Sequence, residues 1–314
     1  MGTPEFARRP LAHLCDSRHE VLAVVTGPDK VAGRGHKLIQ TPVRIEAEKR
    51  DIPVLLPASL KSESLYENLR RLEPELIVVI AFRILPERLF SLPEFGAINI
   101  HASLLPKYRG AAPINWALIN GDAETGVTSF FLKKEVDTGD MIAQEKTAIS
   151  QDDTYDTLAA RLSQLAGPFL LKTLDLIEQG GPTGIPQDDR QASPAPKLTP
   201  DNTMVDFGFP AVHVRNFVRG LSSKPAAYTT FRGAKLKLLG SELVDGIGEN
   251  GLRPGSILPD RKRFLVQCRD SVVQLTRVVP AGKSEMDGAS FVNGYRPNPH
   301  ELLGDILPGG KENS

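Results

Sequence analysis

Through its first half the chain alternates short, β-branched apolar runs with stretches whose apolar residues recur at helical spacing. Residues 21–26, 76–81, 97–101, 126–132 and 141–147 are runs of the first kind, and each predicts a strand. Residues 42–50 and 62–72 are of the second kind and predict helices. Continuously apolar strands belong in a sheet covered on both faces, so the pattern predicts a doubly wound, mostly parallel α/β domain. Such a domain ordinarily opens with a central strand that feeds a glycine turn. Here the chain opens on Gly2-Thr3-Pro4 with no apolar run ahead of it, and either residues ahead of Met1 or another segment is expected to fill that place.

After Asp152-Asp153-Thr154, a helix-starting signal, Leu158, Leu162, Leu165, Leu170, Leu174 and Ile177 keep helical spacing until Gly180-Gly181-Pro182 ends it. Pro168 predicts a kink in that helix. Residues 180–210 are rich in proline, glycine and polar side chains, as an extended connection is. A short amphipathic helix follows at 210–221, and then apolar runs at 227–231, 236–239, 264–268 and 272–279 separated by glycine-rich turns. Those runs predict a small β-barrel. The expected organisation is an α/β domain over residues 1–180, a linker over 181–205 and the barrel domain over 206–314.

A chain of 314 residues buries most of its unfolded surface without disulfide or metal staples. Cys15 and Cys268 lie far apart, with no CxxC spacing and no His/Cys cluster nearby, and read as two buried thiols in a reducing compartment with no metal site. No apolar run approaches the roughly 18 residues of a membrane helix, and the first residues lack the basic and apolar segments of an export signal. A cytoplasmic protein without a membrane partner is expected. The 38 basic and 38 acidic side chains sum to zero, which taken alone argues against a nucleic-acid partner. Their placement changes that: from Thr203 onward there are 15 basic and 11 acidic residues, against 23 and 27 before it. A mildly basic second domain leaves RNA open as a partner.

Three stretches carry candidate chemistry. In Asn99-Ile100-His101 the first and third residues project from one face of a strand, at the carboxyl end where open α/β sheets hold their ligands. An amide and an imidazole converging there can donate to one developing oxyanion; a histidine capping or satisfied in the core is the plainer reading. Asp137, in Glu135-Val136-Asp137-Thr138-Gly139-Asp140, can orient that imidazole and favour its protonated form, or simply make an Asx turn before Gly139. The third stretch, residues 27–38, holds Gly33-Arg34-Gly35 but lacks both the third glycine of a dinucleotide fingerprint and a Ser or Thr after Lys37. What remains is a loop bearing Lys30, Arg34, His36 and Lys37, suited to the phosphates of a large substrate or to plain solvation.

Taken in order along the chain, several segments resemble the methionyl-tRNA formyltransferase family. They are Gly2-Thr3-Pro4-Glu5-Phe6-Ala7, the loop from Pro28-Asp29 to Pro42-Val43-Arg44, Asn99 through Arg109-Gly110-Ala111-Ala112-Pro113, Gly121-Asp122 to Thr128, and Asp137-Thr138-Gly139-Asp140-Met141. Lys197-Leu198-Thr199, Asn216 to Arg219 and Ala281-Gly282-Lys283 continue the resemblance to the second domain. It implies a Rossmann-like formyltransferase domain followed by an OB-like tRNA-binding domain, with Asn99, His101 and Asp137 as the catalytic residues. The implied reaction is attack by the amine of initiator methionyl-tRNA on the formyl carbon of 10-formyltetrahydrofolate, through a tetrahedral intermediate, with no metal. Phe82, Arg83, Ile84, Leu85, Ser103, Leu104, Leu105, Pro106 and Asp137 then become the folate contacts, and Lys30, Arg34, His36 and Lys37 the tRNA contacts. Phe82-Arg83 departs from the Tyr-Gly usual in that family and is closer to the corresponding strand of glycinamide ribonucleotide formyltransferases. A smaller acceptor, hydrolysis of the folate, and an inactive folate- or tRNA-binding relative stay open beside the leading reading. A monomer is expected.

Overall fold

A computed structural model describes residues 1–32, 37–180, 184–247 and 251–304, the side chains of residues 30–32 and 37 excepted. The chain forms two compact units. The first comprises Met1–Pro113, Glu124–Ala148 and Ala159–Ala195, the second Ile114–Ala123, Ile149–Leu158 and Pro196–Ser314.

The first unit carries strands β1 (Val24–Val25), β2 (Lys30–Ala32), β3 (Lys37–Ile39), β4 (Val54–Leu55), β5 (Ile77–Val79), β6 (Ala97–His101), β7 (Arg109–Gly110), β8 (Glu124–Phe131), β9 (Met141–Ala148) and β10 (Pro194–Ala195). The helices of the chain up to this point are α1 (Glu5–Cys15), α2 (Pro42–Glu48), α3 (Glu63–Leu72), α4 (Glu87–Phe90), α5 (Pro113–Ile119) and α6 (Tyr155–Glu178). The main sheet runs β5-β6-β8-β9, parallel between β5 and β6 and antiparallel thereafter. Val25, Leu69, Ile77, Val79, Leu89 and Ala97 form one apolar core around its parallel half. β1 pairs with β4, also in parallel, and Gly2 makes a parallel bridge to Ile80.

The expected strand over residues 21–26 is paired only at Val24–Val25. A strand is defined by its neighbour, and residues 21–23 have no ladder to join among the described residues. α6 runs unbroken through Pro168. Cys268 is buried, as expected, whereas Cys15 is only half-buried because it closes α1. Part of the expected linker is likewise tied down in the first unit: Ile185 bridges Met141, and β10 pairs with β7. Its prolines and glycines suit a segment that makes isolated bridges rather than regular structure.

The second unit holds α7 (Ala211–Gly220), β11 (Ala227–Phe231), β12 (Ala234–Leu243), β13 (Ile257–Leu258), β14 (Phe264–Gln267), β15 (Val272–Pro280), β16 (Met286–Asp287) and α8 (Gly288–Tyr295). Its strands make a curled antiparallel sheet in the order β11-β12-β15-β14-β13, with β16 added to β15. Phe264 and Phe291, both fully buried, stack at 4.6 Å over its core. Asn115 of α5 donates to the carbonyl of Gly220 at the end of α7, 2.7 Å away, and so satisfies a helix-terminal acceptor inside this unit.

Candidate active site

β6 lies between β5 and β8: Asn99 sits opposite both Val79 and Phe130, and His101 opposite Thr128 of β8. That rigid support delivers the two side chains at the carboxyl end of the strand. His101 is 6 % exposed, and the edge of its ring meets Phe130. Its Nε2 lies 2.8 Å from the carbonyl oxygen of Tyr108. A carbonyl only accepts, so Nε2 carries the hydrogen and Nδ1 is the nitrogen left for chemistry. Nδ1 stands 3.8 Å from Asp137 Oδ2.

Asp137 reaches His101 by an indirect route. The register of β6 against β8 places Phe131 beside Ile98, so the β8–β9 connection leaves the sheet at the opposite end of β6. The connection then folds back along the strand. Asp137 takes a left-handed backbone with φ 54°, its Oδ2 accepts from the amide of Gly110 at 2.8 Å, and Gln187 donates to the carbonyls of Asp137 (2.9 Å) and Gly139 (2.8 Å). Arg109 donates in turn to Gln187 Oε1 and pairs with Asp189. Two glycines make the fold-back possible. A Cβ on Gly139 would stand 1.6 Å from the carbonyl oxygen of Phe131, and one on Gly110 would stand 2.6 Å from that of Ala195.

Asn99 Oδ1 is buried without a hydrogen-bond partner among the described residues. A buried acceptor left open in this way costs stability, and a partner that donates to it is favoured for that reason. Ala81, Tyr108 and Asp137 all adopt positive φ (47°, 62° and 54°) without being glycine, a concentration of backbone strain of the kind found at ligand sites. At Tyr108 the strain has a visible result, because it aims the carbonyl that His101 binds.

The segment after β6 is braced from below. Thr128 Oγ1 donates to Ser103 O and accepts from Leu105 N, while Gln144 Nε2 donates to Leu105 O and to Thr128 Oγ1. Ser103 and Leu105 are thereby buried, and Leu104 and Pro106 stay partly open. Of the other residues expected to touch folate, Leu85 turns into the apolar core and Phe82 lies half-buried against it. Ile84 is 73 % exposed, and Arg83 donates to the carbonyls of Pro57 and Ala58. Of these four side chains, one is buried, one half-buried and two are open. Gln144 and Gln187 went unnoticed in the sequence because they act through contacts set by the fold. Tyr108 and Thr128 lay inside recognised segments and could have been found. Of the four expected tRNA contacts, Arg34 and His36 and the side chains of Lys30 and Lys37 lie outside the described residues. No group of three or more His, Cys, Asp or Glu residues suited to a metal ion occurs among those described.

Residues 1–174 match the family described as formyl transferase, and residues 197–296 match the formyl transferase C-terminal domain. The methionyl-tRNA formyltransferase of Geobacter sulfurreducens is 42 % identical over 307 residues, 97 % of this chain and 96 % of that one. The enzyme of the same name from Porphyromonas gingivalis is 40 % identical over 94 % of each chain. Among solved structures, an N-formyltransferase from Helicobacter canadensis, in complex with folinic acid and dTDP-3-aminofucose, shares the fold with a TM-score of 0.62 at 18 % identity, over 87 % of this chain and 96 % of that one. The methionyl-tRNA formyltransferase of Clostridium thermocellum gives a TM-score of 0.52 at 16 % identity, over 64 % and 86 %.

Proposed function

We propose, from the premise that this chain belongs to the formyl transferase family, that it passes the formyl group of 10-formyltetrahydrofolate to the amino group of initiator methionyl-tRNA, which readies that tRNA for translation initiation. The observation that carries the proposal is the 40–42 % identity to enzymes named for this reaction over at least 94 % of the chain. The folate, when bound, supplies an activated formyl group on nitrogen.

The residues at the end of β6 suit that chemistry. Asn99 Oδ1, buried and open, is placed to accept from the attacking amine and so turn its lone pair toward the formyl carbon. Asn99 Nδ2 and a protonated His101 Nδ1 donate to the charge that develops on the formyl oxygen. Asp137, held by Gly110 N, stabilises the proton on Nδ1, while Tyr108 O fixes the ring from the other side. As attack proceeds the amine loses a proton and the departing folate nitrogen gains one; His101 and Asp137 are the groups that move it. The exposed Arg83 and Ile84, with Leu104 and Pro106, offer a surface for the folate, and Lys30 and Lys37, on the paired strands β2 and β3, are candidates for the phosphates of the tRNA. We read the enzyme as a monomer, since all three reacting side chains come from one unit of one chain, and as cytoplasmic, because its proposed substrate serves translation initiation.

Labelled 10-formyltetrahydrofolate mixed with methionyl initiator tRNA and the protein is expected to give formylmethionyl-tRNA. Release of formate without transfer to the tRNA would replace this reading with a hydrolase.

A further inference from the structure

The support of His101 converges on Tyr108. The Tyr108 carbonyl accepts the ring hydrogen on Nε2 at 2.8 Å, while the backbone of the same residue is left-handed, with φ 62°. A residue with a Cβ takes that conformation at a cost in free energy, so neighbouring bonds must hold it there. Both peptides flanking Tyr108 are held at both of their ends. The peptide joining Lys107 to Tyr108 accepts at its carbonyl from Ser103 Oγ (2.7 Å) and donates from its N–H to Ser193 Oγ (2.9 Å). The peptide joining Tyr108 to Arg109 accepts at its carbonyl from His101 and donates from its N–H to the carbonyl of Ser193 (2.9 Å).

Ser193 therefore supplies one partner to each peptide, and its own N–H donates to Pro106 O at 3.4 Å. Pro194 disfavours a helical backbone at Ser193, and the pairing of β10 with β7 lays the residue alongside the loop it holds. Ser193 is half-buried and belongs to the same unit as His101. Its hydroxyl reaches the imidazole only through Tyr108. Without that hydroxyl the Tyr108 N–H loses its acceptor, and the residue is free to relax from positive φ and swing its carbonyl off Nε2. A neutral imidazole that loses this acceptor no longer has a fixed tautomer, and its hydrogen can move to Nδ1.

We propose that Ser193 is a positioning residue for His101: its Oγ holds Tyr108 left-handed, and the Tyr108 carbonyl in turn keeps the hydrogen of the neutral imidazole on Nε2 and leaves Nδ1 open for the reaction. The catalytic consequence rests on the formyl-transfer reading above, whereas the tautomer is a property of the protein alone.

The test compares Ser193→Ala with Ser193→Thr, which keeps the hydroxyl, in the full chain. Proton–nitrogen correlation spectra of the neutral imidazoles, with the His101 signals identified by their loss in His101→Ala, report the tautomer directly. The unaltered protein and Ser193→Thr are expected to carry the hydrogen on Nε2, and Ser193→Ala to show a mixture of both tautomers. In formylation, Ser193→Ala is expected to lower kcat about tenfold with KM for folate and for tRNA unchanged, and Ser193→Thr to stay within about twofold of the unaltered protein. On top of His101→Ala, Ser193→Ala is expected to cost nothing further in kcat, because the two residues act in series. An unchanged tautomer in Ser193→Ala overturns the proposal whatever the rate. So does a further loss of about tenfold on top of His101→Ala, the mark of a general structural role. A tautomer that shifts as expected in a protein unable to formylate methionyl-tRNA supports the positioning role and overturns the formyl-transfer reading instead.

Discussion

At the residue scale, function rests on where a few atoms end up. Asn99→Ala and His101→Ala are each expected to lower kcat by about 10²–10³, as loss of one donor to a developing oxyanion does; Asn99→Ala leaves Tm nearly unchanged, whereas His101→Ala, which strips the Tyr108 carbonyl of its donor, lowers it. Single-turnover formylation measures the first and a thermal melt the second; a normal rate in either variant removes that residue from the mechanism. Gln187→Ala tests the support of the Asp137 turn. Because Gln187 holds two carbonyls of that turn and touches neither Asn99 nor His101, the expected result is a fall of about tenfold in kcat with KM for folate nearly unchanged. Asn99 and His101 were readable in the sequence, since same-face spacing in an apolar strand is a local property. Their meeting with Asp137 was not, because the approach depends on a fold-back that Gly110, Gly139 and Gln187 permit from distant parts of the chain.

At the element scale, charge pairing joins helices that the apolar pattern alone leaves loosely defined. Glu46 of α2, 6 % exposed, accepts from Arg50 at 2.8 Å and from Arg8 of α1 at 3.3 Å, and these bonds, Arg50 first, hold its carboxyl below the ordinary 4.5. The folded form therefore keeps this carboxylate ionised at a pH where the unfolded chain has begun to protonate it. The stabilisation is complete above about 4.5 and is lost as pH falls through the depressed value. Glu46→Gln is expected to cost about 1–2 kcal/mol near neutrality and to flatten the acid limb of the stability curve, read by urea melts from pH 3 to 7. In the second unit, Asn115→Ala leaves the carbonyl of Gly220 without its donor and creates a small void, at an expected cost of about 1–3 kcal/mol. Most of these elements were legible. The predicted strand at 97–101 and those at 227–231 and 264–268 match the observed ones to within a residue, because their apolar runs are strong and a neighbouring ladder holds each along its length. The predicted strand at 21–26 shrank to two paired residues for want of a neighbour on one side.

At the scale of the whole molecule, net neutrality conceals the uneven distribution of charge on which tRNA binding would draw. On the proposed contact of Lys30, Arg34, His36 and Lys37 with phosphates, formylation of tRNA should weaken steeply with salt. Arg34→Ala is expected to reduce the slope of log KM against log salt by about 0.7–0.9 while folate binding stays unchanged. A slope equal to that of the unaltered protein would remove Arg34 from the tRNA contact.

Local patterning determined the class of each half of this protein: β-branched runs between helical stretches make an α/β sheet, and short runs between glycine turns make a curled antiparallel one. The same patterning set Asn99 and His101 on one strand face. Tertiary structure alone decided the antiparallel turn of the sheet after β6, the return of Asp137 to the histidine, and the binding of residues 184–195 to the first unit. The physical reason is the same in each case. Side-chain periodicity is written in neighbouring residues, whereas pairing, fold-back and open edges depend on which distant backbone groups find a partner.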